Sequence, residues 1–374
     1  MSRRPLRITH LMPQIGVGGA ELQLCRLVSA TPAGRATHRV IYYGDSLDNA
    51  AYRIFRESGV DLLRVPRQRW RFVRFFRALT DTIAKGEPDI LHCWMITAAL
   101  WGRWAGAVAG IRRIVVSFRS TSVEFAPLLR LSCRAGGRGV FYLANTGAVA
   151  DAVSGQAGVP RSRIAVIPNG VEPPVQRTPE ARAALLSEYR CPAQTRIVTM
   201  VGRLTDAKNY PMLFRLAVRC HGLLPVHFFI VGHGEEESRL LELAERMQLL
   251  DTVHFLGLRL DIPRILSATD IFCYTSRFEG FPNALLEAMA AGLPIVTTDF
   301  AGVEELVQDG ISAHVVAQDD DAAAFRALSE LISDPLAAAH LAEAARATTE
   351  ARFSIGQMVE NTLQYYERIS EPPD

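Results

Sequence analysis

The sequence predicts an α/β protein made of two doubly wound, parallel-sheet domains facing across a cleft. Three observations carry that prediction. Short apolar runs alternate with helix-period segments almost from end to end. The runs are four to seven residues long, rich in Val, Ile and Leu, and lack polar alternation, as strands buried on both faces do. The alternation breaks once, at Pro168-Asn169-Gly170, and then restarts. A chain of 374 residues is too long for one ordinary core, so two Rossmann-like halves are the natural reading.

In the first half the expected strands are Arg7–Met12, His38–Tyr43, Asp61–Val65, Asp89–Cys93, Arg113–Phe118, Val140–Ala144 and Arg163–Ile167. Helical patterns separate most of them, including Glu21–Ser29, Arg71–Lys85 and Met95–Ala109. The second half gives Arg196–Val201, Val226–Val231, Thr252–Leu256, Ile271–Tyr274, Pro294–Thr297 and Ala313–Val316. The organisation expected is a first domain over 1–172, a linker over 173–190, a second domain over 191–353, and a closing helix in 354–374 that crosses back to the first domain. Ligands of such sheets bind at the carboxyl ends of the strands.

The net charge of +2 hides a split. Residues 1–172 hold 24 Lys and Arg against 11 Asp and Glu, and the remainder holds 17 against 28. The front half therefore suits an anionic partner or surface, although a basic half also serves solubility alone. The six cysteines (25, 93, 133, 191, 220 and 273) form no CxxC pair, which argues against a zinc site or a disulfide framework and fits a reducing compartment. No apolar run reaches the roughly 18–20 residues of a spanning helix, and no signal-peptide core follows the basic start. The expected location is cytoplasmic, with room for peripheral contact on the inner face of a membrane.

Three segments carry chemistry. Gly16-Val17-Gly18-Gly19-Ala20-Glu21 follows the first strand and opens the first helix, where glycine allows close backbone approach and the helix N-terminus attracts an anion. It is no dinucleotide fingerprint, because Glu21 stands where G-x-G-x-x-G needs its last glycine. Gly202 to Asn209 follows the first strand of the second half and places Arg203 and Lys208 where both reach toward one diphosphate. Glu279-Gly280-Phe281-Pro282-Asn283-Ala284-Leu285-Leu286-Glu287 reads as a loop entering a helix over 284–291, with Pro282 in the first turn. Backbone N–H groups at that start suit a phosphate, Glu279 would lie near a reacting sugar, and Glu287 would accept from a ribose diol. Each segment alone is also compatible with an ordinary turn or a solvated charge.

Taken together these segments resemble glycosyltransferase family four, which has the GT-B fold. The E-x7-E signature is Glu279 to Glu287. Around it stand Gly18-Gly19-Ala20-Glu21, Ile167-Pro168-Asn169-Gly170-Val171, Val201-Gly202-Arg203-Leu204 with Lys208, Val231-Gly232-His233-Gly234 and Gly302-Val303-Glu304-Glu305-Leu306-Val307. The resemblance implies a retaining, metal-independent hexosyltransferase with a nucleotide-diphosphate-sugar donor, UDP by default, and no cofactor. It assigns Arg203 and Lys208 to the leaving diphosphate, Glu279 to the sugar and to charge at the anomeric carbon, and Glu287 to the ribose. Backbone at Phe281, Pro282, Asn283 and Ala284 would hold the sugar and the β-phosphate beside Gly280, and Gly18 and Gly19 would close over the donor.

There are departures from the family pattern. Many members place a second His two residues after the one at 92, and here that position is Trp94, which shares a strand face with His92. His92 is either a catalytic group toward the acceptor or a structural strand-end histidine. Trp94 and Arg119 resemble members that build bacterial surface polysaccharides and are the acceptor-side candidates. Arg64, Arg67, Arg69, Arg71, Arg74 and Arg77 cluster with Trp70, Phe72, Phe75 and Phe76. Phe72, Phe76, Leu79 and Ile83 fall on one stripe, so this helix either packs on the sheet or rests on an anionic membrane.

The expected partners are therefore a nucleotide-diphosphate sugar, a glycan or polyprenyl-linked glycan, and an anionic membrane, without nucleic acid. A nucleotide-sugar sensor or scaffold without catalysis stays open, as does a GT-B phosphorylase or epimerase. Lys85 and Lys208 are the only lysines, and neither sits in a convincing pyridoxal-phosphate context.

Overall fold

The computed structural model describes residues 4–16, 18–45, 50–67, 71–121, 133, 139–174 and 177–371, and only the backbone of 50, 51 and 54. The chain begins β1 (Leu6–Met12), α1 (Gly19–Ala30), β2 (Ala36–Tyr42), α2 (Ala50–Glu57), β3 (Asp61–Arg64), α3 (Phe72–Lys85), β4 (Ile90–Trp94) and α4 (Met95–Val108). It continues with β5 (Ile114–Phe118), β6 (Val140–Ala144), α5 (Gly147–Ala157), β7 (Ile164–Val166), α6 (Pro179–Glu188), β8 (Arg196–Val201), α7 (Tyr210–Cys220), β9 (Val226–Val231) and α8 (Glu237–Arg246). The remainder is β10 (Val253–Gly257), α9 (Ile262–Ala268), β11 (Ile271–Tyr274), α10 (Asn283–Ala290), β12 (Ile295–Thr298), β13 (His314–Val316), α11 (Asp321–Ser333), α12 (Pro335–Arg352) and α13 (Ile355–Ser370).

Two compact units result. The first comprises Met1–Gly170 with Ile355–Asp374, and the second Val171–Ser354. The first sheet has seven strands in the order β3-β2-β1-β4-β5-β6-β7, and the second has six in the order β10-β9-β8-β11-β12-β13. All pairings between these strands are parallel. In both orders the first strand of the unit sits inside the sheet and the sequence order reverses beside it, so both sheets have a topological switch point.

Each sheet is covered on both faces, which is why its strands read as unbroken apolar runs. In the first unit Leu11, Ile41, Leu91, Val116 and Tyr142 face α3, α4 and α5. Ile8, Val40, Ile90, Val115 and Leu143 face α1 and α13, whose Met358, Leu363 and Tyr366 are buried. Burying a side chain of that size contributes about 1.5–3 kcal/mol, so α13 is part of this core rather than a fringe. In the second unit the larger face packs on α7, α10, α11 and α12, and the smaller one on α6 and α9.

The segment 173–190 is not simply a linker, because it contains α6. Thr178 caps that helix by accepting a hydrogen bond from the Ala181 N–H at 3.2 Å, Pro179 occupies its first turn, and Leu185 and Leu186 bury against Ile197 and Phe229. Only two of its residues are buried, so the apolar periodicity is too thin to declare a helix.

Candidate functional site

In the second unit the first glycine motif follows β8. A Cβ at Gly232 would stand 1.9 Å from the Gly202 carbonyl oxygen, and one at Gly234 would stand 2.3 Å from that of Leu204. The backbones of the two loops touch, and the Leu204 N–H donates to the His233 carbonyl at 3.2 Å. Only glycine permits this approach. It fixes the turn from which Lys208 returns to the sheet.

Lys208 and Glu279 meet at the carboxyl end of β11. Lys208 Nζ donates to Glu279 Oε1 at 2.5 Å and to the Tyr274 hydroxyl at 2.5 Å, and it lies 4.9 Å from the centre of the Tyr274 ring. The Tyr274 hydroxyl donates to the same Glu279 oxygen at 2.8 Å, and Ser276 Oγ donates to it as well. The two charged side chains are 16% and 11% exposed, so the pair is shielded from water. Burial and the neighbouring Glu279 carboxylate push the Tyr274 hydroxyl well above its usual pKa, so it remains a donor. Sequence reasoning misses Tyr274 and Ser276. Their only signal is position, at the end of a strand just ahead of Glu279.

Glu279 then leads through half-buried Gly280 and buried Phe281 and Pro282 into α10, where Asn283 and Ala284 form the first turn. Phe281 anchors that entry against Phe353, with ring centres 5.5 Å apart. The positive end of the helix dipole lies at this entry, and Glu287 sits half-buried one turn further on. Arg203 is not part of the Lys208 cluster. It is 72% exposed and pairs with Glu235 at 3.1 Å.

In the first unit Gly18 caps α1 and Gly19 begins it. Glu21 folds back over this loop, and its buried carboxyl accepts from its own backbone N–H and from that of Gly16. Burial raises its pKa and those two bonds oppose the rise. A Cβ at Gly18 would lie 2.4 Å from that carboxyl, so a side chain there would displace the Glu21 carboxyl from its place over the loop. Val17 lies outside the described residues.

Both nitrogens of His92 are engaged, Nδ1 with the Tyr366 hydroxyl at 2.5 Å and Nε2 with Ser117 Oγ, and the ring is buried. Burial, helped by the Arg119 charge, holds it neutral. Both ring nitrogens thus have partners within the protein, an arrangement that suits the structural one of the two roles that the sequence leaves open. Its ring stacks on Trp94 at 4.7 Å.

Trp94 Nε1–H donates to His10 Nδ1 at 3.0 Å, which fixes the proton of neutral His10 on Nε2. That proton points to His38 Nδ1 at 2.9 Å, and His38 Nε2–H then donates to Thr31 Oγ1 at 3.0 Å. One indole donor thus sets the tautomers of two histidines. Arg119 lies over the Trp94 ring at 4.3 Å and donates from one terminal nitrogen to Asn169 Oδ1 at 2.5 Å. Its buried Nε has no hydrogen-bond partner, and among the described residues no carboxylate pairs with it. Burial lowers its pKa to about 10.

Comparison with known proteins decides the family. A model described as glycosyl transferases group 1 matches residues 184–348, and one described as Glycosyltransferase Family 4 matches residues 17–174. The chain belongs to glycosyltransferase family four. It is 29% identical over 275 residues to the Escherichia coli UDP-Gal:alpha-D-GlcNAc-diphosphoundecaprenol alpha-1,3-galactosyltransferase, covering 69% of this chain and 70% of that one. It is 30% identical over 173 residues to the Rhizobium meliloti lipopolysaccharide core biosynthesis glycosyltransferase LpsE, covering 46% and 50%.

The match thus spans half the length of LpsE, and only 44% of the Salmonella typhi Vi polysaccharide biosynthesis protein VipC/TviE. Anabaena HepE, solved with UDP and glucose, superposes with a TM-score of 0.85 at 22% identity over 97% of this chain and 99% of that one. A Rickettsia africae glycosyltransferase gives 0.86 at 19% identity over 99% and 100%. The fold of this family member is GT-B, with two parallel-sheet Rossmann-like units.

Proposed function

We propose that this chain transfers a sugar, with retention, from a UDP-sugar to a polyprenyl-diphosphate-linked glycan during surface-polysaccharide synthesis. The observation that carries the reading is the shielded Lys208–Glu279 pair beside the N-terminus of α10. Lys208 would neutralise the diphosphate as the bond from C1 to its oxygen breaks, and Arg203 would swing from Glu235 to join it. The backbone from Gly280 to Ala284 would cradle the β-phosphate and the sugar, Glu279 would bind sugar hydroxyls, and Glu287 would hold the ribose. Gly18 and Gly19, shaped by Glu21, would offer their backbone to an anion at the N-terminus of α1. The acceptor hydroxyl attacks on the face from which the diphosphate leaves, and its proton passes to the departing oxygen. Fixed charge aimed at developing charge does most to lower the barrier of such a reaction, and here Lys208 and Arg203 would supply it without a metal.

UDP as the nucleotide carrier is supported by the name of the Escherichia coli relative and by the UDP in HepE. The lipid-linked acceptor is supported by that same name and by Arg119, a cation with an unsatisfied buried Nε beside Trp94 and no carboxylate among the described residues. A diphosphate or an anionic sugar would complete it. Peripheral membrane contact is supported by α3. Arg71, Arg74 and Arg77 stand exposed there with Phe72 and Val73, and exposed Trp104 lies on α4. Phe75, Leu79 and Ile83 are the residues this helix gives to the core, and Phe72 packs on Trp101 with ring centres 5.0 Å apart. Trp70 and Arg69 lie outside the described residues. Among the described residues no helix is long and apolar enough to cross a membrane.

The test is a panel of UDP-, GDP- and ADP-sugars, read by thermal shift and by slow hydrolysis. One UDP-sugar should stabilise the protein and turn over, and Glu279→Ala should abolish turnover while the shift remains. Stabilisation without turnover in the presence of lipid-diphosphate acceptors would make the chain a sensor. Silence toward every nucleotide sugar would overturn the donor site.

A further inference from the structure

Away from the donor loops, at the amino-terminal ends of β9 and β10, three side chains converge that the sequence keeps far apart. Cys191 lies between α6 and β8, His227 is the second residue of β9, and His254 is the second residue of β10. Cys191 Sγ is 3.4 Å from His227 Nδ1 and 3.4 Å from His254 Nε2, and those two nitrogens are 2.9 Å apart. Hydrogen bonding serves this triangle poorly. A ring nitrogen either donates or accepts, so the three edges cannot each hold a linear bond, whereas one cation takes a lone pair from all three atoms. The remaining cysteines (25, 93, 133, 220 and 273) are buried and belong to no such group among the described residues.

We infer that Cys191, His227 and His254 form a zinc site that fastens the entrance of β8 to the β9–β10 edge of the second sheet. The size fits. The point equidistant from the three atoms lies about 1.9 Å from each, slightly inside the ~2.0–2.1 Å of a Zn–N bond and the ~2.3 Å of a Zn–S bond. Zinc would therefore ride just above the triangle, with the fourth tetrahedral position pointing away from it. The donor set also fits, since one thiolate and two imidazoles suit this borderline-soft ion and not Mg²⁺ or Ca²⁺.

The ligands are held in place. His227 and His254 stack with ring centres 5.2 Å apart and planes 11° apart, and Phe229 and Tyr189 pack on His254 at 4.9 and 5.3 Å. Asp251 supplies a negative charge beside both rings. All three ligands are partly exposed, which gives an ion a way in. The site lies at the opposite end of the strands from Gly202 and Tyr274, so its metal holds the fold and takes no part in transfer. Cysteine spacing argues against zinc only because it detects ligands that are neighbours in sequence.

The test begins with full-length protein stripped by a chelator and titrated with Co²⁺. The expected result is one equivalent bound, with the intense visible bands of tetrahedral cobalt and a thiolate-to-cobalt band in the near ultraviolet, all erased by Zn²⁺. Cys191→Ser should lose the thiolate band, and His227→Ala and His254→Ala should lose tight binding. Zinc at a hundredfold excess over its Kd should raise the Tm of wild type by roughly 5–10 °C and leave Cys191→Ser unmoved. Chelator-treated wild type and Cys191→Ser should have the same Tm, which separates a lost ligand from a misfolded variant. Octahedral cobalt spectra, a thiolate band that persists in Cys191→Ser, or no zinc-dependent shift would each overturn the assignment.

Discussion

Replacing Glu279 by glutamine takes one charge out of a shielded pair and leaves Lys208 with only a neutral partner. Breaking such a pair from one side costs about 3–5 kcal/mol. Lys208 keeps the Tyr274 hydroxyl and the face of its ring, so the lower end, about 3 kcal/mol, applies. A unit of this size has a urea m-value of roughly 2 kcal/mol/M, and its midpoint should fall by about 1.5 M. Lys208→Met should cost a similar amount, because it takes the ammonium partner from the shielded Glu279 carboxylate, which keeps the hydroxyl donors of Tyr274 and Ser276. The double variant removes both charges, so its cost should fall short of the sum by at least about 2 kcal/mol.

The chain offers an internal control. Its four tryptophans, at 70, 94, 101 and 104, all lie in the first unit. Tryptophan emission follows that unit, while far-ultraviolet circular dichroism follows both. The loss should appear in the dichroism of donor-free protein, with the emission midpoint unchanged. Additive costs, or a dichroism midpoint that does not move, would refute the coupling.

Three further outcomes are expected. Burial lowers the pKa of His38 from 6.5 to about 4 and places those of His10 and His92 well below the ordinary value. The unfolded state then binds more protons, so stability is full above pH ~6.5 and falls as pH drops toward 4, with His38 alone contributing of order 3 kcal/mol. The tryptophan midpoint should track this, and a midpoint flat over that window would count against the neutral relay. Gly232→Ala forces a Cβ to 1.9 Å from a carbonyl at a φ of +152°, so it should cost the second unit about 2 kcal/mol or more, measured by urea midpoint. Arg119→Met should lower kcat/KM for transfer to a lipid-diphosphate acceptor roughly 30-fold, as for one lost charge-assisted hydrogen bond, and spare donor hydrolysis. An equal loss in both assays would remove Arg119 from the acceptor side.

The parallel strands were legible because burial on both faces leaves them uniformly apolar, and each expected run has a strand within a residue or two of it. Val140–Ala144, Arg196–Val201, Val226–Val231 and Ile271–Tyr274 coincide at both ends. Helix α6 was hidden because only Leu185 and Leu186 of its ten residues are buried. At the donor loop the motif pointed to Glu279 and Lys208 but not to the contact between them, nor to Tyr274 and Ser276. Hydroxyl partners have no spacing rule. His10 and His38 were silent for the same reason. They lie side by side because β1 and β2 pair with His10 opposite Val40 and Ile8 opposite His38. That register cannot be read from either strand alone.

The order of segments along the chain bears on synthesis. The second unit is one continuous stretch from Val171 to Ser354, whereas the first is completed by α13, which emerges only after that stretch. The later unit can therefore close on residues contiguous in sequence, whereas the earlier one cannot close without α13. Until α13 arrives, the first sheet shows an apolar face where Met358, Leu363 and Tyr366 belong, and His92 lacks its tyrosine. A chain truncated after Ser354 should accordingly protect its second half from protease and leave its first half open to cleavage and to chaperones.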